Sequence, residues 1–347
     1  MASRDLWVVF CSDTEDNHPN YLPGWSKLGS NYDRNPAIIR WDWTQFWPSI
    51  QNCFTDASVP VTWLFRVDEG PIYDGMLTRF KSDILELLTR GDEVGIHIHT
   101  LVWDPICSKW MQTRDPNYEE AVVRSSIGYF RRVLGQNPRS VRMGWNTMSN
   151  KIMITLEESG IIVDASAIPG NYCSGKFSRR DNFYDWRGTP RYPYHPSAKD
   201  YRLPGQMSIL EMPIRTLPTI KNIGRLINGL SNHKVASVIL SKFLPAARKL
   251  TNINPNNYFY ISPYWSSSIP KKIMHDSIDE LQDDVPMCLT CFFHAADILN
   301  PKTGKENSLF KENIRSLISA IQALNGVTVK FLTLADAAMK LRKFSLV

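Results

Sequence analysis

Short runs in which apolar residues fill nearly every position alternate along this chain with longer stretches in which they recur every three to four residues. The first pattern fits strands buried on both faces and the second fits helices that cover them. Strands are predicted at Leu6–Phe10, Val59–Val67, Glu93–His97, Ser140–Arg142, Ile161–Ser166, Ile209–Pro213, Asn257–Ser262, Met287–His294 and Val327–Phe331. Helices are predicted at Leu77–Thr89, Tyr118–Leu134, Lys151–Ser159, Asp276–Leu281 and Leu309–Leu324, and glycines at 91, 135, 160 and 326 stand just past four of them, where a left-handed stop belongs. Strand and helix in alternation imply an α/β fold of parallel strands with crossover helices. The 347 residues suit one elaborated domain, residues 1–347, with ample core. The irregular segment Pro169–Pro204, dense in Arg, Tyr, Pro and Gly, is too long for a passive connector and is expected to fold over a site.

One of these strands ends in chemistry. His97 and His99 are spaced i, i+2, so a strand projects both imidazoles from one face, a geometry that suits a single metal ion. The acidic run Asp13-Thr14-Glu15-Asp16 follows another apolar strand, so carboxylates and imidazoles meet if the two strands are neighbours. A nitrogen and oxygen donor set without thiolate is typical of a hydrolytic metal site.

Composition narrows the class. The formal charge of +6 is not gathered into any Lys- or Arg-rich block, which argues against nucleic acid. Eleven Trp and thirteen Tyr offer flat faces of the kind that sugars stack on, although many such rings serve as core. The C-x-x-C of Cys288 and Cys291 lies inside an apolar strand, where the two thiols face opposite ways and make neither a redox pair nor a zinc knuckle. No charged lead, apolar core and small-residue cleavage site opens the sequence, so a reduced, cytoplasmic setting is expected. No stretch reaches the roughly twenty apolar residues of a transmembrane segment, and the best, Val235 to Ala247, carries Lys242. The oligomeric state is not legible.

In its order of elements and in five motifs, the chain resembles the polysaccharide deacetylases, the nodulation-type carbohydrate esterase family 4, over nearly its whole length. Ser12-Asp13-Thr14-Glu15-Asp16 is similar to the family's opening motif in a D-x-E form, which implies Asp13 as catalytic base and Glu15 as metal carboxylate, with Asp16 a rival. Gly91 to Thr100 is similar to the H-x-x-x-H strand end, but Leu101 stands where the second histidine belongs, so His99 must substitute beside His97. Val141-Arg142-Met143-Gly144-Trp145-Asn146 resembles the arginine-led loop, with Arg142 holding the base and Trp145 facing substrate. Asp181 to Gly188 resembles the D-x-x-D-W element, which implies Asp185 as the orienter of the acid and Trp186 as a wall of the acetyl pocket. Leu289 to His294 resembles the late motif, with His294 as general acid. Arg66 and Asp68 are secondary candidates for substrate binding at the rim.

The resemblance implies a distorted (β/α)7-type barrel and metal-assisted removal of an N-acetyl or O-acetyl group from a sugar in glycan or surface-polysaccharide biosynthesis. The implied cofactor is a divalent ion, zinc foremost, with cobalt, nickel or manganese as alternatives. The implied partner is an acetylated sugar, an oligosaccharide, or a nucleotide- or lipid-linked sugar. A glycan-binding protein that lost metal competence through the altered second motif is the alternative from another class. A two-histidine, one-carboxylate iron oxygenase is a third reading, in which His294 and Arg142 lack a task.

Overall fold

A computed structural model describes residues 4–15, 43–68, 76–104, 109–174, 183–218, 258–260, 262–263, 286–300 and 304–344. Eight parallel strands carry the fold: β1 (Arg4–Thr14), β2 (Val61–Arg66), β3 (Glu93–Ile98), β4 (Ser140–Met143), β5 (Val163–Asp164), β6 (Leu210–Glu211), β7 (Met287–His294) and β8 (Val327–Phe331). Their order is β6-β5-β4-β3-β2-β1-β7, and β8 pairs with the first half of β1. A single parallel bridge from Ile214 to Thr290 brings the chain after β6 back to β7, so the sheet curls into the expected barrel with its two ends touching. The described helices are α1 (Trp47–Thr55), α2 (Lys81–Thr89), α3 (Pro116–Leu134), α4 (Asn150–Glu158), α5 (Ser308–Gln322) and α6 (Leu334–Leu341), apart from short single turns.

Alternation along β1 makes two cores. Leu6, Val8 and Phe10 face outward into the large cluster beneath the helices, while Trp7, Val9 and Cys11 face the barrel interior with Leu64, Val163, Ala165, Leu210, Met212 and Cys288. Cys288 and Cys291 fall into different cores and are free thiols, as the strand period requires. Helix α6 closes the amino-terminal end with Leu334, Ala337, Ala338 and Leu341. Its first amides bind the sheet directly: Leu334 N donates to Thr62 Oγ1 at 2.9 Å and Ala335 N to Glu93 Oε2 at 2.9 Å. A carboxylate at a helix N-terminus is favoured by the dipole.

Several elements differ from the pattern reading for identifiable reasons. β1 runs on to Thr14 because β2 and β7 supply partners to both of its edges, which puts Asp13 on the strand instead of in a loop. Helix α3 begins earlier than Tyr118, since Asp115 caps it by accepting from Asn117 N and Pro116 takes the first turn, where no N–H is needed. It ends at Gly135, whose φ of 70° is the left-handed stop. The strand expected at Asn257–Ser262 is not in the barrel: Tyr258–Tyr260 pairs antiparallel with Thr216–Pro218. The helix expected at Asp276–Leu281 lies outside the described residues. Among the described residues, no helix is long and apolar enough to cross a membrane.

Asp164 and Glu211 are register partners on β5 and β6, and both are fully buried. Ser166 Oγ donates to Asp164 at 2.6 Å and Ala167 N to Glu211 at 3.1 Å, which leaves one oxygen of each carboxyl facing the other. Burial, then the charge of Asp164, holds Glu211 well above the ordinary carboxylate range. A carboxyl whose folded pKa is raised contributes stability below its unfolded pKa and loses it as pH rises through the folded value. Stability is therefore expected to fall from mildly acid to alkaline pH, by at most about 1.4 kcal/mol per pH unit for one proton. Glu211→Gln should flatten that slope; urea unfolding at a series of pH values measures it.

Candidate metal and catalytic site

The carboxyl-terminal ends of β1, β2, β3, β4 and β7 bring one polar layer together. Arg66, His97 and Arg142 are in register across β2, β3 and β4, while Asp13 is opposite His294 on β7. Parallel barrels carry their chemistry at this end because all the strands deliver side chains there and the loops are free to vary.

Glu15, His97 and His99 each offer one ligand atom, all within 4.8 Å of one another, and all three residues are buried. The two imidazole Nε2 atoms are 3.1 Å apart, and His99 Nε2 is 3.4 Å from Glu15 Oε2. Those separations match the edges of a tetrahedral shell, roughly 3.4 Å for bonds near 2.1 Å. Both Nδ1 atoms are buried without a hydrogen-bond partner, and burial, aided by the neighbouring His99, pushes His97 down to about 3 and keeps it neutral, the ligating form. Burial alone would raise Glu15, but His99, His97 and Arg66 outweigh it and hold the group ionised, well below the ordinary range. The residues fit a divalent cation. Asp16 lies outside the described residues, and Glu15 is the carboxylate that meets the histidines.

Asp13 adjoins this trio on one side and His294 on the other. Its Oδ1 is 3.7 Å from His97 Nδ1 and 3.4 Å from Arg142 Nη1, and its Oδ2 is 3.9 Å from His294 Nε2. Burial raises Asp13 to about 7 against the pull of Arg142. Arg142 is itself fully buried; Nε donates to Ala165 O at 2.8 Å and the guanidinium lies 4.7 Å over the Phe292 ring.

No protein-family model and no curated protein matches the sequence. Solved structures do match. A protein assigned as a polysaccharide deacetylase in Mycobacterium smegmatis superposes with a TM-score of 0.54 at 12% identity, over 99% of this chain and 93% of that one. One so assigned in Pseudomonas aeruginosa PAO1 gives 0.52 at 15%, over 99% and 92%. The chain has the polysaccharide deacetylase fold.

Around the polar layer of this barrel, the remaining candidates take particular places. Trp145 holds a left-handed backbone, φ 53° and ψ 23°, followed by Asn146 at φ 56°, and its ring meets His99 edge-on at 5.6 Å. Two such non-glycine residues in succession are costly, and strain of this kind gathers at functional sites. The insertion secures the turn: Trp186, completely buried, donates from Nε1 to Asn146 O at 2.9 Å and packs on Tyr201. Asp185 is held by Arg187 and Arg202, at 2.8 and 3.0 Å. The carboxylate beside His294 is instead Asp297, 3.7 Å from Nδ1 and three residues on, a spacing visible in the sequence but unread there. Burial pushes Asp297 well above the ordinary range. Arg66 and Asp68, expected at an open rim, are both buried and bound to each other.

Gly144 makes room for the ligand layer. A Cβ there would sit 2.3 Å from His99 Cγ and Nδ1. Gly144→Ala is therefore expected to drive His99 away from Glu15 and to cost about 1–3 kcal/mol, the usual price of overfilling a packed site. Urea unfolding reads the energy, and a crystal structure of the variant reads the ring position.

Proposed function

We infer that this protein is a metal-dependent hydrolase that removes an acetyl group from a carbohydrate, with residues 1–347 acting as one catalytic domain. The observation that carries the reading is the buried Glu15–His97–His99 trio with Asp13 against it and His294 next to Asp13. A divalent ion held by the trio, zinc foremost and cobalt, nickel or manganese as alternatives, would supply Lewis acidity to an acyl oxygen and to the attacking water. Asp13 takes the proton from that water through a carboxylate oxygen. Arg142 keeps the base in place and offsets its charge when ionised. His294 is the partly exposed member, with 18% of its side chain open, and returns a proton from Nε2 to the departing amine or alcohol. Asp297 is the carboxyl that faces its other nitrogen, Nδ1, at 3.7 Å. Trp145, at the lip beside His99, offers substrate a flat face. An acetylated sugar or oligosaccharide is the substrate class; attachment to a nucleotide or lipid is an open extension of the same chemistry.

The test is a zinc titration by calorimetry on chelator-stripped protein, paired with acetate release from N- and O-acetylated oligosaccharides. About one equivalent of zinc and zinc-dependent acetate release are expected, and Glu15→Ala should lose both. Sugar binding without stoichiometric metal or turnover would overturn the reading in favour of a glycan-binding module. Turnover requiring iron and oxygen would overturn it in favour of an oxygenase.

A further inference from the structure

The pair of histidines is spaced H-x-H, so the second donor stands one residue beyond β3, where the sheet no longer holds the backbone. The last backbone rung between β2 and β3 runs from Val67 N to His97 O at 3.1 Å. The next amide, that of His99, donates to a side chain: Asp68 Oδ1 accepts it at 3.1 Å. Asp68 is gripped in turn by Arg66, whose Nε reaches both carboxylate oxygens at 3.1 and 3.2 Å and whose Nη2 reaches Oδ2 at 2.9 Å. The other end of the same guanidinium, Nη1, donates to Glu15 Oε2 at 3.4 Å. All four residues, Glu15, Arg66, Asp68 and His99, are 2 or 3% exposed.

A buried carboxylate that binds both a guanidinium and a backbone amide is fixed in place, and it fixes what it binds. We propose that Arg66 and Asp68 are positioning residues that carry the β2–β3 ladder one rung further in side-chain form, and so place His99 where an H-x-H pair serves in place of H-x-x-x-H. They hold the donor set and do not contact substrate. This rests on the metal reading above for its use, and on the geometry alone for the anchor.

The two are separable by experiment. Amide hydrogen exchange at His99 in the full chain, followed by NMR, reads the anchor without any metal; zinc titration reads its consequence. Asp68→Ala should speed His99 exchange at least tenfold and weaken zinc binding on the order of 10- to 100-fold, the usual effect of losing a group that orients a ligand. Asp68→Asn keeps an oxygen acceptor at the same place without the charge, and Asp68→Glu keeps the charge and moves the acceptor by a methylene. Positioning predicts that Asn preserves both readouts better than Glu, a comparison that stands even where Asp68→Ala fails to fold. Unchanged exchange and zinc affinity in Asp68→Ala, a better result for Glu than for Asn, or a raised sugar KM with zinc affinity intact would each overturn the proposal. Failure of the wild type to bind zinc would sink the metal reading, and His99 exchange would still decide the anchor.

Discussion

Asp13→Asn is expected to cut acetate release by roughly 10²- to 10⁴-fold, the contribution of a positioned general base or acid, with zinc stoichiometry unchanged. Asn fills the same volume and still accepts from Arg142 Nη1, now 3.4 Å away, but it has no basic oxygen for the water's proton. Asp13 is not in the trio of close donors, so metal should remain. His294→Ala should fall by a similar factor for the other half of the proton traffic, since its Nε2 is 3.9 Å from Asp13 Oδ2. Groups that act as a unit are not additive, so the double variant should lose much less than the product of the two single losses. Initial rates on an acetylated oligosaccharide, with zinc content measured on the same preparations, check both. A variant within a few-fold of wild type would remove its residue from the mechanism.

Arg142→Met should be the most damaging single change to stability, about 3–5 kcal/mol, because it removes one partner of a buried charge pair and leaves the other. The guanidinium lowers the pKa of Asp13, Asp164 and Glu211 alike, so one cation offsets a group of buried acids. It also ties β4 to β5 through Ala165 O. Met restores the apolar bulk over Phe292 but none of the charge. Arg142→Lys should recover little, since a single ammonium cannot reach Asp13 and Ala165 O in the fork geometry. Urea unfolding decides; a loss under about 1 kcal/mol would mean that the acids go neutral at little cost.

Much of the barrel was legible locally. The strands that pair in the sheet overlap predicted apolar runs, because parallel strands buried on both faces need nearly continuous apolar sequence; β8, whose positions alternate between half-buried and exposed, is the exception. Helices α1 and α6 were missed: α1 opens at Trp47-Pro48 with no side-chain cap, and α6 is short. The strand expected at Asn257–Ser262 shows the opposite error, since an apolar run reports burial but not the partner.

The sequence by itself determined that His97 and His99 share a face and that the thiols of Cys288 and Cys291 do not meet, because each follows from the twofold period of one strand. Only the tertiary structure decided which faces look at each other. It placed Asp13 opposite His294, gave His294 the carboxylate of Asp297 with Asp185 left to two arginines, and enclosed Arg66 and Asp68 beneath the donors. Strand order, register and burial are set by the whole packed sheet, and no local period encodes them.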